Sequence, residues 1–519
     1  MQRTHTRLLL ASFVATGLAA GIYLGATRAA RPAEAPAAAP AAGTPGAAAP
    51  GAGQSSSPAG TPAKSVGPSS ATPLGSKASP TATVAQPSAP FVPPEGTKEI
   101  PYVVKRNESA TSIASRYLPE SVYMRRNELE NAIRQVNALG AHSLKPGAEI
   151  QIPGIPLQPI LDKPVAVPKD FQARGIYLTA WTAGSSSGLD LMRRWKEAGG
   201  NTVVFDVKDY DGELHVAFEH QYAPHDQISI RSLPKLIHYI HSLRMHAIAR
   251  IAMFRDHHLA QTYSELAIHS RATGKPWLEE GKLAWVDPSN PAVQQYDLDL
   301  ARMAAAAGAD EIQFDYVRFP AEGNQADAQF TFQKDHPDWP RTKVITDFVA
   351  HAYETLHPLG VLFSLDVFGV MAWERPVDLR LTGQDIPSLA RHCDVLSPMI
   401  YPSHFFGFDG YAVPGDAPEH FISESMQRFE GATKGSGVVL RPWLQAFGWH
   451  TKSYSPDYIR IQVRVAREQG GVGFLFWNAR NDYSKPFAAM PDLRLNASRV
   501  SPGEAAIPQH HEEAAPPPR

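Results

Sequence analysis

The chain has 519 residues with 49 basic and 51 acidic side chains, a formal net charge of −2. This length allows two or three domains, and the balanced charge gives no basic surplus that would attract nucleic acid. We therefore predict no nucleic-acid partner. The one cysteine, Cys393, excludes an intrachain disulfide and a cysteine-rich zinc site.

The N-terminus has the pattern of a targeting segment. Arg3 and Arg7 precede an uncharged stretch, 8–27, which as a helix would be about as long as a bilayer core is thick. We predict a signal peptide or an N-terminal membrane anchor over 1–28, and favour the anchor because no clean small-residue cleavage site follows. Either way the arginines stay inside, so we expect an exported protein, periplasmic or in the cell envelope. If uncleaved, this segment is also its membrane contact.

Residues 29–99 consist mostly of Ala, Pro, Gly, Ser and Thr, with Phe91 as the one aromatic. Such a composition cannot bury a core and predicts a disordered linker. The linker would hold the following domain away from a membrane. A compositional drift without a spacer role is the alternative.

A small module is predicted over 100–154. A strand pattern at 102–105 is followed by two short helical patterns, and Leu-Lys-Pro-Gly-Ala-Glu-Ile-Gln-Ile-Pro closes the module at 144–153. Tyr-x-Val at the start and this ending resemble a LysM domain, which implies binding of glycans that contain N-acetylglucosamine, such as peptidoglycan. The module departs from the family at 107–111, where Gly-Asp-Thr is usual, and in the long helix connection, 118–131. A module that kept the fold and lost glycan binding is the alternative.

From 170 to 490, apolar strand patterns alternate with helical ones, which is typical of a parallel α/β architecture. Eight such strands are predicted, beginning at 175–179 and ending at 472–477, and they favour a (β/α)8 TIM barrel. No Gly-x-Gly-x-x-Gly follows the first strand, so we predict neither a dinucleotide nor any other cofactor. Residues 491–519 are predicted to be a disordered tail.

Active sites of such barrels lie at the carboxyl ends of the strands. The predicted strand ends carry these candidate residues: Asp206, Lys208, Asp209, Asp315, Arg318, Asp366, Tyr401, Gln445 and Trp477. For Asp315 the alternative is an ordinary loop or helix-cap residue. For 206–212 it is a hydrogen-bonded turn closed by Gly212.

Two carboxylates among aromatic side chains suit hydrolysis of a glycosidic bond. One must stay protonated to act as the acid, and the other must be ionised. The aromatic rings can stack on sugars, while Lys208, Arg318 and Gln445 can bind hydroxyls. We predict no metal, because the adjacent His257 and His258 are poorly placed for a shared ion.

Several motifs together resemble a bacterial family of putative glycoside hydrolases, a TIM barrel distantly similar to the α-amylase superfamily. They are Arg-Gly-Ile-Tyr-Leu-Thr at 174–179, Asn-Thr-Val-Val-Phe-Asp-Val-Lys-Asp-Tyr-Asp-Gly at 201–212, Trp-Val-Asp-Pro at 285–288, the stretch 311–320, which contains Phe-Asp-Tyr-Val-Arg-Phe-Pro, 397–403, and Arg-Pro-Trp-Leu-Gln at 441–445. The resemblance implies that Asp315 is the nucleophile or base and Asp366 the acid. Amylases usually have Glu as the acid, so retention and inversion both stay open.

These residues are compatible with two functions. The first is an exported glycoside hydrolase that cleaves a cell-wall or matrix polysaccharide. The second is a non-catalytic glycan-binding or envelope scaffold protein that keeps the barrel. A catalytic separation of the Asp315 and Asp366 carboxyl groups would favour the hydrolase, whereas burial of either group in a salt bridge would favour the scaffold.

Overall fold

The structure is a computed structural model that describes residues 92–140, 144–224 and 228–497. The predicted N-terminal segment 1–28, most of the linker and most of the tail lie outside the described residues. No helix within the described part of the chain is long and apolar enough to cross a membrane.

The small N-terminal module has the predicted strand–helix–helix–strand order. Strands Thr97–Val103 and Glu149–Pro156 pair antiparallel, and helices Ala110–Tyr117 and Arg126–Val136 connect them. The apolar faces of all four elements form its core, which includes the fully buried Ile113, Leu129, Ile133 and Ile152. The first strand begins at Thr97, three residues ahead of the predicted module boundary, because its residues already pair with Ile155 and Pro156.

Eight parallel strands form a closed barrel, as predicted. They are Ala173–Leu178, Thr202–Lys208, His246–Ala252, Glu311–Asp315, Leu362–Phe368, Val395–Ile400, the two-part seventh strand Val439–Leu440 and Trp443–Gln445, and Gly473–Trp477. The fifth strand pairs with the sixth, and the eighth pairs with the first, so the sheet closes. Pro442 interrupts the seventh strand because it has no amide hydrogen to donate.

Helices surround the barrel. The longer ones are Ser186–Ala198, Leu233–Ser242, Pro291–Ala306, Arg341–Leu356, Pro418–Thr433, Pro456–Glu468 and Ser484–Ala497. Side chains alternate along each strand: Val203 packs outward in the large core between strands and helices, and Val204 packs in a separate cluster inside the barrel.

The last helix corrects the predicted start of the tail. Ser484–Ala497 continues seven residues beyond position 490. Leu493 is buried in the core, and Asp492 Oδ2 lies 2.6 Å from Arg460 Nε. These contacts hold a helical extension that its composition alone predicted to be disordered.

The amino end of the barrel interior is charged. Arg441 Nη1 donates to Glu311 Oε2 at 2.7 Å, and His246 Nε2 lies 3.0 Å from the same oxygen. Burial alone would raise the pKa of Glu311, but the charge of Arg441 and the contact with His246 lower it to about 2. This ion pair is fully enclosed, at the end of the barrel opposite to the candidate site.

The small module is docked on the barrel. Lys235, near the start of helix Leu233–Ser242, is buried and donates from Nζ to Leu118 O at 2.6 Å and to Tyr123 O at 2.8 Å. Arg125 Nη2 donates to Asp190 Oδ1 at 2.6 Å. The long connection that departs from the LysM pattern is therefore the part that contacts the barrel.

Candidate active site

Three carboxylates meet one guanidinium at the carboxyl end of the barrel. Arg250, on the third strand, donates to Asp206 Oδ1 and to Asp315 Oδ2, both at 2.5 Å, and its Nε lies 3.6 Å from Asp366 Oδ2. All four residues are buried. The second to fifth strands supply one residue each, so consecutive strands of the sheet build this cluster.

Asp315 and Asp366 lie side by side. The parallel register pairs Phe314 with Leu365, which places the two aspartates at neighbouring positions of adjacent strands, both directed into the barrel. Neighbouring strands are about 4.8 Å apart. The two carboxyl groups that sequence reasoning selected therefore come together.

Asp366 is in a setting that favours its neutral form. Burial, and then the charge of Asp315, raise the pKa of Asp366 well above its ordinary value, although Arg250 opposes them. Trp443 Nε1 donates to Asp366 Oδ1 at 2.7 Å, while Oδ2 has no hydrogen-bond partner. A protonated Asp366 would carry an O–H group at this oxygen, inside the cluster.

Asp315 is surrounded by donors. Besides the bond from Arg250, its Oδ1 accepts a hydrogen bond from Tyr316 N at 2.6 Å. Tyr316 has a φ of 54°, an uncommon conformation for a residue with a large side chain. Charge-assisted bonds of this kind stabilise an ionised carboxylate. The neighbouring carboxyl groups thus differ in their surroundings, one facing donors and the other facing a negative charge.

Asp206 completes the cluster. Tyr177 OH donates to Asp206 Oδ2 at 2.5 Å. Burial raises the pKa of Asp206, and Arg250 opposes that rise. Asp206 therefore contacts the central guanidinium and an aromatic hydroxyl, and helps to fix the position of both.

Aromatic side chains occupy the other half of the barrel mouth. The rings of Tyr401 and Trp477 are stacked with centroids 5.7 Å apart, and those of Trp477 and Tyr177 are stacked at 6.3 Å. Phe447 packs edge-on against Trp477 at 5.4 Å. Tyr177 and Trp477 come from the first and eighth strands, Tyr401 directly follows the sixth strand, and Phe447 is in the loop after the seventh. The site thus has an acidic half and an aromatic half.

Lys208 lies on the outer side of the barrel, not at the site. Its Nζ contacts Asp256 at 3.1 Å, Asp297 at 2.5 Å and Met253 O at 3.1 Å, and it is fully buried. A bulge between Asp206 and Lys208 shifts the register and turns the lysine away from the barrel axis. The assignment of Lys208 to sugar hydroxyls is therefore corrected, since its donors are used inside the protein.

Two further predicted residues, Gln445 and Arg318, make contacts within the surrounding loops. Gln445 is fully buried, with Oε1 accepting from Ser403 N and Nε2 donating to Phe447 O. Arg318 is buried against the rings of Trp285 and Phe368, 4.8 and 4.5 Å from their centroids. The structure thus gives both residues internal contacts, and Arg318 makes no hydrogen bond to Asp315.

Asp209 belongs to the turn that follows the second strand. Its Oδ1 accepts from Asp211 N and Glu213 N, and its Oδ2 lies 3.4 Å from His215 Nε2. Within the described residues, Asp209, Glu213 and His215 are the group with ligand atoms close enough for one cation. The hydrogen bonds of Asp209 equally describe a turn, which is the alternative weighed from the sequence.

Arg250 is the central residue that the sequence reasoning missed. The run His-Ala-Ile-Ala-Arg-Ile at 246–251 was assigned to a strand on its apolar residues. The available signal was the single charged residue Arg250 in a buried parallel strand. It is two positions after Ile248, so both side chains point to the same side of the sheet. Such a charge requires buried partners, and the acidic ends of the neighbouring strands could have supplied them.

The comparisons with known proteins concern both parts of the chain. The family described as "Putative glycosyl hydrolase domain" matches residues 175–483, and the LysM domain family matches residues 102–153. No curated protein matches this chain.

Several solved structures are similar to the chain. A hypothetical protein from Ruminiclostridium thermocellum ATCC 27405 shares 32% identity over 37% of this chain and 97% of its own, with a TM-score of 0.32. The PgaB (BpsB) glycoside hydrolase domain from Bordetella bronchiseptica shares 14% identity over 62% of this chain and 98% of its own, with a TM-score of 0.48. The spore cortex-lytic enzyme SleL from Bacillus megaterium QM B1551 shares 12% identity over 76% of this chain and 86% of its own, with a TM-score of 0.39.

The family match spans more than half of the chain and includes every residue of the acidic and aromatic halves of the site. It confirms the resemblance stated from the motifs, as the second match confirms the resemblance of the small module. The chain belongs to the putative glycosyl hydrolase family and carries a LysM domain ahead of its barrel.

Proposed function

We propose that this protein is an exported glycoside hydrolase that cleaves a cell-wall or matrix polysaccharide with Asp315 and Asp366. The observation that carries the proposal is the pair of adjacent carboxyl groups in unlike surroundings, facing an aromatic wall. Asp366 is the proton donor to the leaving oxygen, and Asp315 is the ionised partner.

The register of the two strands favours a retaining mechanism. Retaining glycosidases have carboxyl groups about 5–5.5 Å apart, and inverting enzymes about 6.5–9.5 Å apart. Side chains at neighbouring positions of adjacent parallel strands are about 4.8 Å apart at the backbone. Asp315 is then the nucleophile.

The LysM domain points to the substrate class. Members of its family bind glycans that contain N-acetylglucosamine, and a domain docked on the barrel would hold such a polymer beside the site. Peptidoglycan is the first candidate, and its location agrees with export through the N-terminal segment 1–28. If that segment stays uncleaved, the enzyme is attached to the membrane.

A panel of purified polysaccharides, with mass spectrometry and reducing-end release as readouts, tests the hydrolase. Wild type is expected to release products from one of them, and Asp315→Asn and Asp366→Asn are each expected to lower kcat by about 100-fold or more. Asp347→Asn changes a carboxylate of an exposed surface pair with Lys343 and should retain activity. NMR of the first product is expected to show the anomeric configuration of the substrate.

A second function, glycan binding without catalysis, is favoured by one observation. Asp315 is 5% exposed and ion-paired with Arg250, which is the buried salt bridge that a scaffold could retain for stability alone. That function requires saturable binding of a polysaccharide with no new reducing ends. Saturable binding, together with equal, zero activity of wild type and both variants across the panel, would establish it in place of the hydrolase.

A further inference from the structure

Two large aromatic side chains are conspicuously exposed in the described part of the chain. Trp181 is 50% exposed and Tyr411 is 40% exposed. Single exposed apolar residues are common and need no explanation. What distinguishes Trp181 is its position in the loop after the first barrel strand.

Trp181 lies at the rim of the candidate site. It is in the short helix Ala180–Ala183, directly after the first barrel strand, whose Tyr177 belongs to both the aromatic wall and the Asp206 contact. Trp181 is therefore part of the loop at the carboxyl end of the first strand, which borders the barrel mouth.

The ring of Trp181 has a rigid support. It packs edge-on against His215, with centroids 5.8 Å apart, and His215 is 1% exposed and contacts Ser229 Oγ through Nδ1 and Asp209 through Nε2. Gly184, after the short helix, approaches the same loop so closely that a Cβ there would lie 2.2 Å from Ser229 O. The indole is thus held in place and still half open to solvent.

The docked LysM domain is on this side of the barrel. Helix Ser186–Ala198 begins five residues after Trp181, and its Asp190 pairs with Arg125 of the LysM domain. The loop that supports His215 leads into the helix whose Lys235 binds the LysM carbonyls. Both contacts are near helix starts, which in a barrel lie toward the carboxyl ends of the strands.

We propose that Trp181 is an outer subsite that stacks on a sugar ring of a long N-acetylglucosamine-containing strand, between the central site and the LysM domain. A rigid, half-exposed indole offers a large flat apolar face at little entropic cost. The inference rests on the proposed hydrolase and adds that its substrate is a polymer longer than the central site holds. Tyr411 is the matched control, because it follows the sixth strand, three strands away around the barrel.

The test compares chitohexaose with a chromogenic chitobioside as substrates of the full chain. Trp181→Ala is expected to lower kcat/KM for the hexasaccharide about tenfold and to change it less than twofold for the chitobioside. Trp181→Phe should restore most of the loss, and Tyr411→Ala should behave as wild type. An unchanged hexasaccharide value, an equal loss with both substrates, or an equal loss in Tyr411→Ala would overturn the subsite.

A binding measurement separates this inference from the hydrolase itself. Chitohexaose added to the protein is expected to change the intrinsic tryptophan fluorescence, and Trp181→Phe should remove most of that change while melting at the wild-type temperature. If no substrate is cleaved and this signal is present, the hydrolase fails and the subsite stands. A spectrum that chitohexaose leaves unchanged, or changes equally in Trp181→Phe, refutes the subsite whatever the activity.

Discussion

The folded state disfavours the ionised form of the Asp366 carboxyl group. Its two neighbours have opposite effects, because Asp315 repels a second negative charge and Arg250 attracts it. Burial decides the balance, since a charge is costly where water is excluded. A carboxyl group of this kind suits an acid catalyst. It also lowers the stability of the folded protein at a pH high enough to ionise it.

The change Asp366→Asn should therefore stabilise the protein increasingly as pH rises. The folded pKa of Asp366 lies above its unfolded value, so the folded state keeps this proton up to a higher pH than the unfolded state does. The stability that the proton contributes is lost as pH rises from the unfolded pKa through the folded pKa. We expect equal melting temperatures of wild type and variant below pH 4 and a higher one for the variant at pH 8. Asp347→Asn, at an exposed pair with Lys343, is the control. A difference that does not vary with pH would contradict this account.

The candidate site was predictable where it depended on strand ends, and less so elsewhere. Asp315, Asp366 and Tyr401 follow from apolar runs that stop at a polar or aromatic residue. Lys208 did not follow, because a one-residue bulge reverses the side to which it points, and no local pattern announces such a bulge. Arg250 was overlooked because its meaning depends on residues 44 and 65 positions away in the chain.

At the scale of elements, the strands and the long helices before Ser484–Ala497 match the sequence patterns within a few residues. The sequence of the connecting loops does not reveal what those loops contact. The loop between the two LysM helices is an example. Its length was noted as a departure from the family, and its carbonyl groups turn out to accept hydrogen bonds from a buried lysine of the barrel. The hydrophobic periodicity of a segment does not reveal a contact with a residue so far away in the chain.

Lys235→Met tests this docking contact. The variant loses two charge-assisted hydrogen bonds, about 1.5–3 kcal/mol each, partly offset because burial of the ammonium, which lowers the pKa of Lys235 to about 8, is no longer required. Hydrogen exchange is expected to quicken for amides such as Val122 N, which bonds to Gly154 O. The exposed Lys343→Met should cost less than about 1 kcal/mol. Unchanged exchange in Lys235→Met would show that the domain is held by other contacts.

The pH dependence of that contact has a definite sign. Between pH about 8 and its ordinary value of 10.5, the unfolded chain holds a proton on Lys235 that the folded chain has released. The contribution of Lys235 to stability therefore rises with pH across this window. The difference in unfolding free energy between wild type and Lys235→Met should widen in favour of wild type over the same range.

For the whole molecule, the stability of the barrel depends on the enclosed ion pair of Glu311 and Arg441. It joins the fourth strand to the seventh across the interior. Removing one member leaves an uncompensated buried charge, which typically costs about 3–5 kcal/mol. Removing both charges together costs much less.

Arg441→Met should therefore lower the unfolding free energy by about 3–5 kcal/mol in chemical denaturation, and the double change Glu311→Gln with Arg441→Met should recover most of it. The Glu311 pKa of about 2 means that this contribution is complete above pH 4.5 and is lost as pH falls toward 2. Folded variants should keep glycan binding, because the pair lies at the opposite end of the barrel. A double variant as unstable as the single one would contradict the ion-pair account.

The buried ammonium beneath the LysM domain has an entropic consequence. A binding domain on a flexible tether must give up rotational freedom every time it engages a polymer together with its enzyme. Here Lys235 and Arg125 remove that freedom when the chain folds. Each encounter with a glycan strand then begins with both binding surfaces already aligned. Binding therefore does not include the entropic cost of orienting one domain against the other.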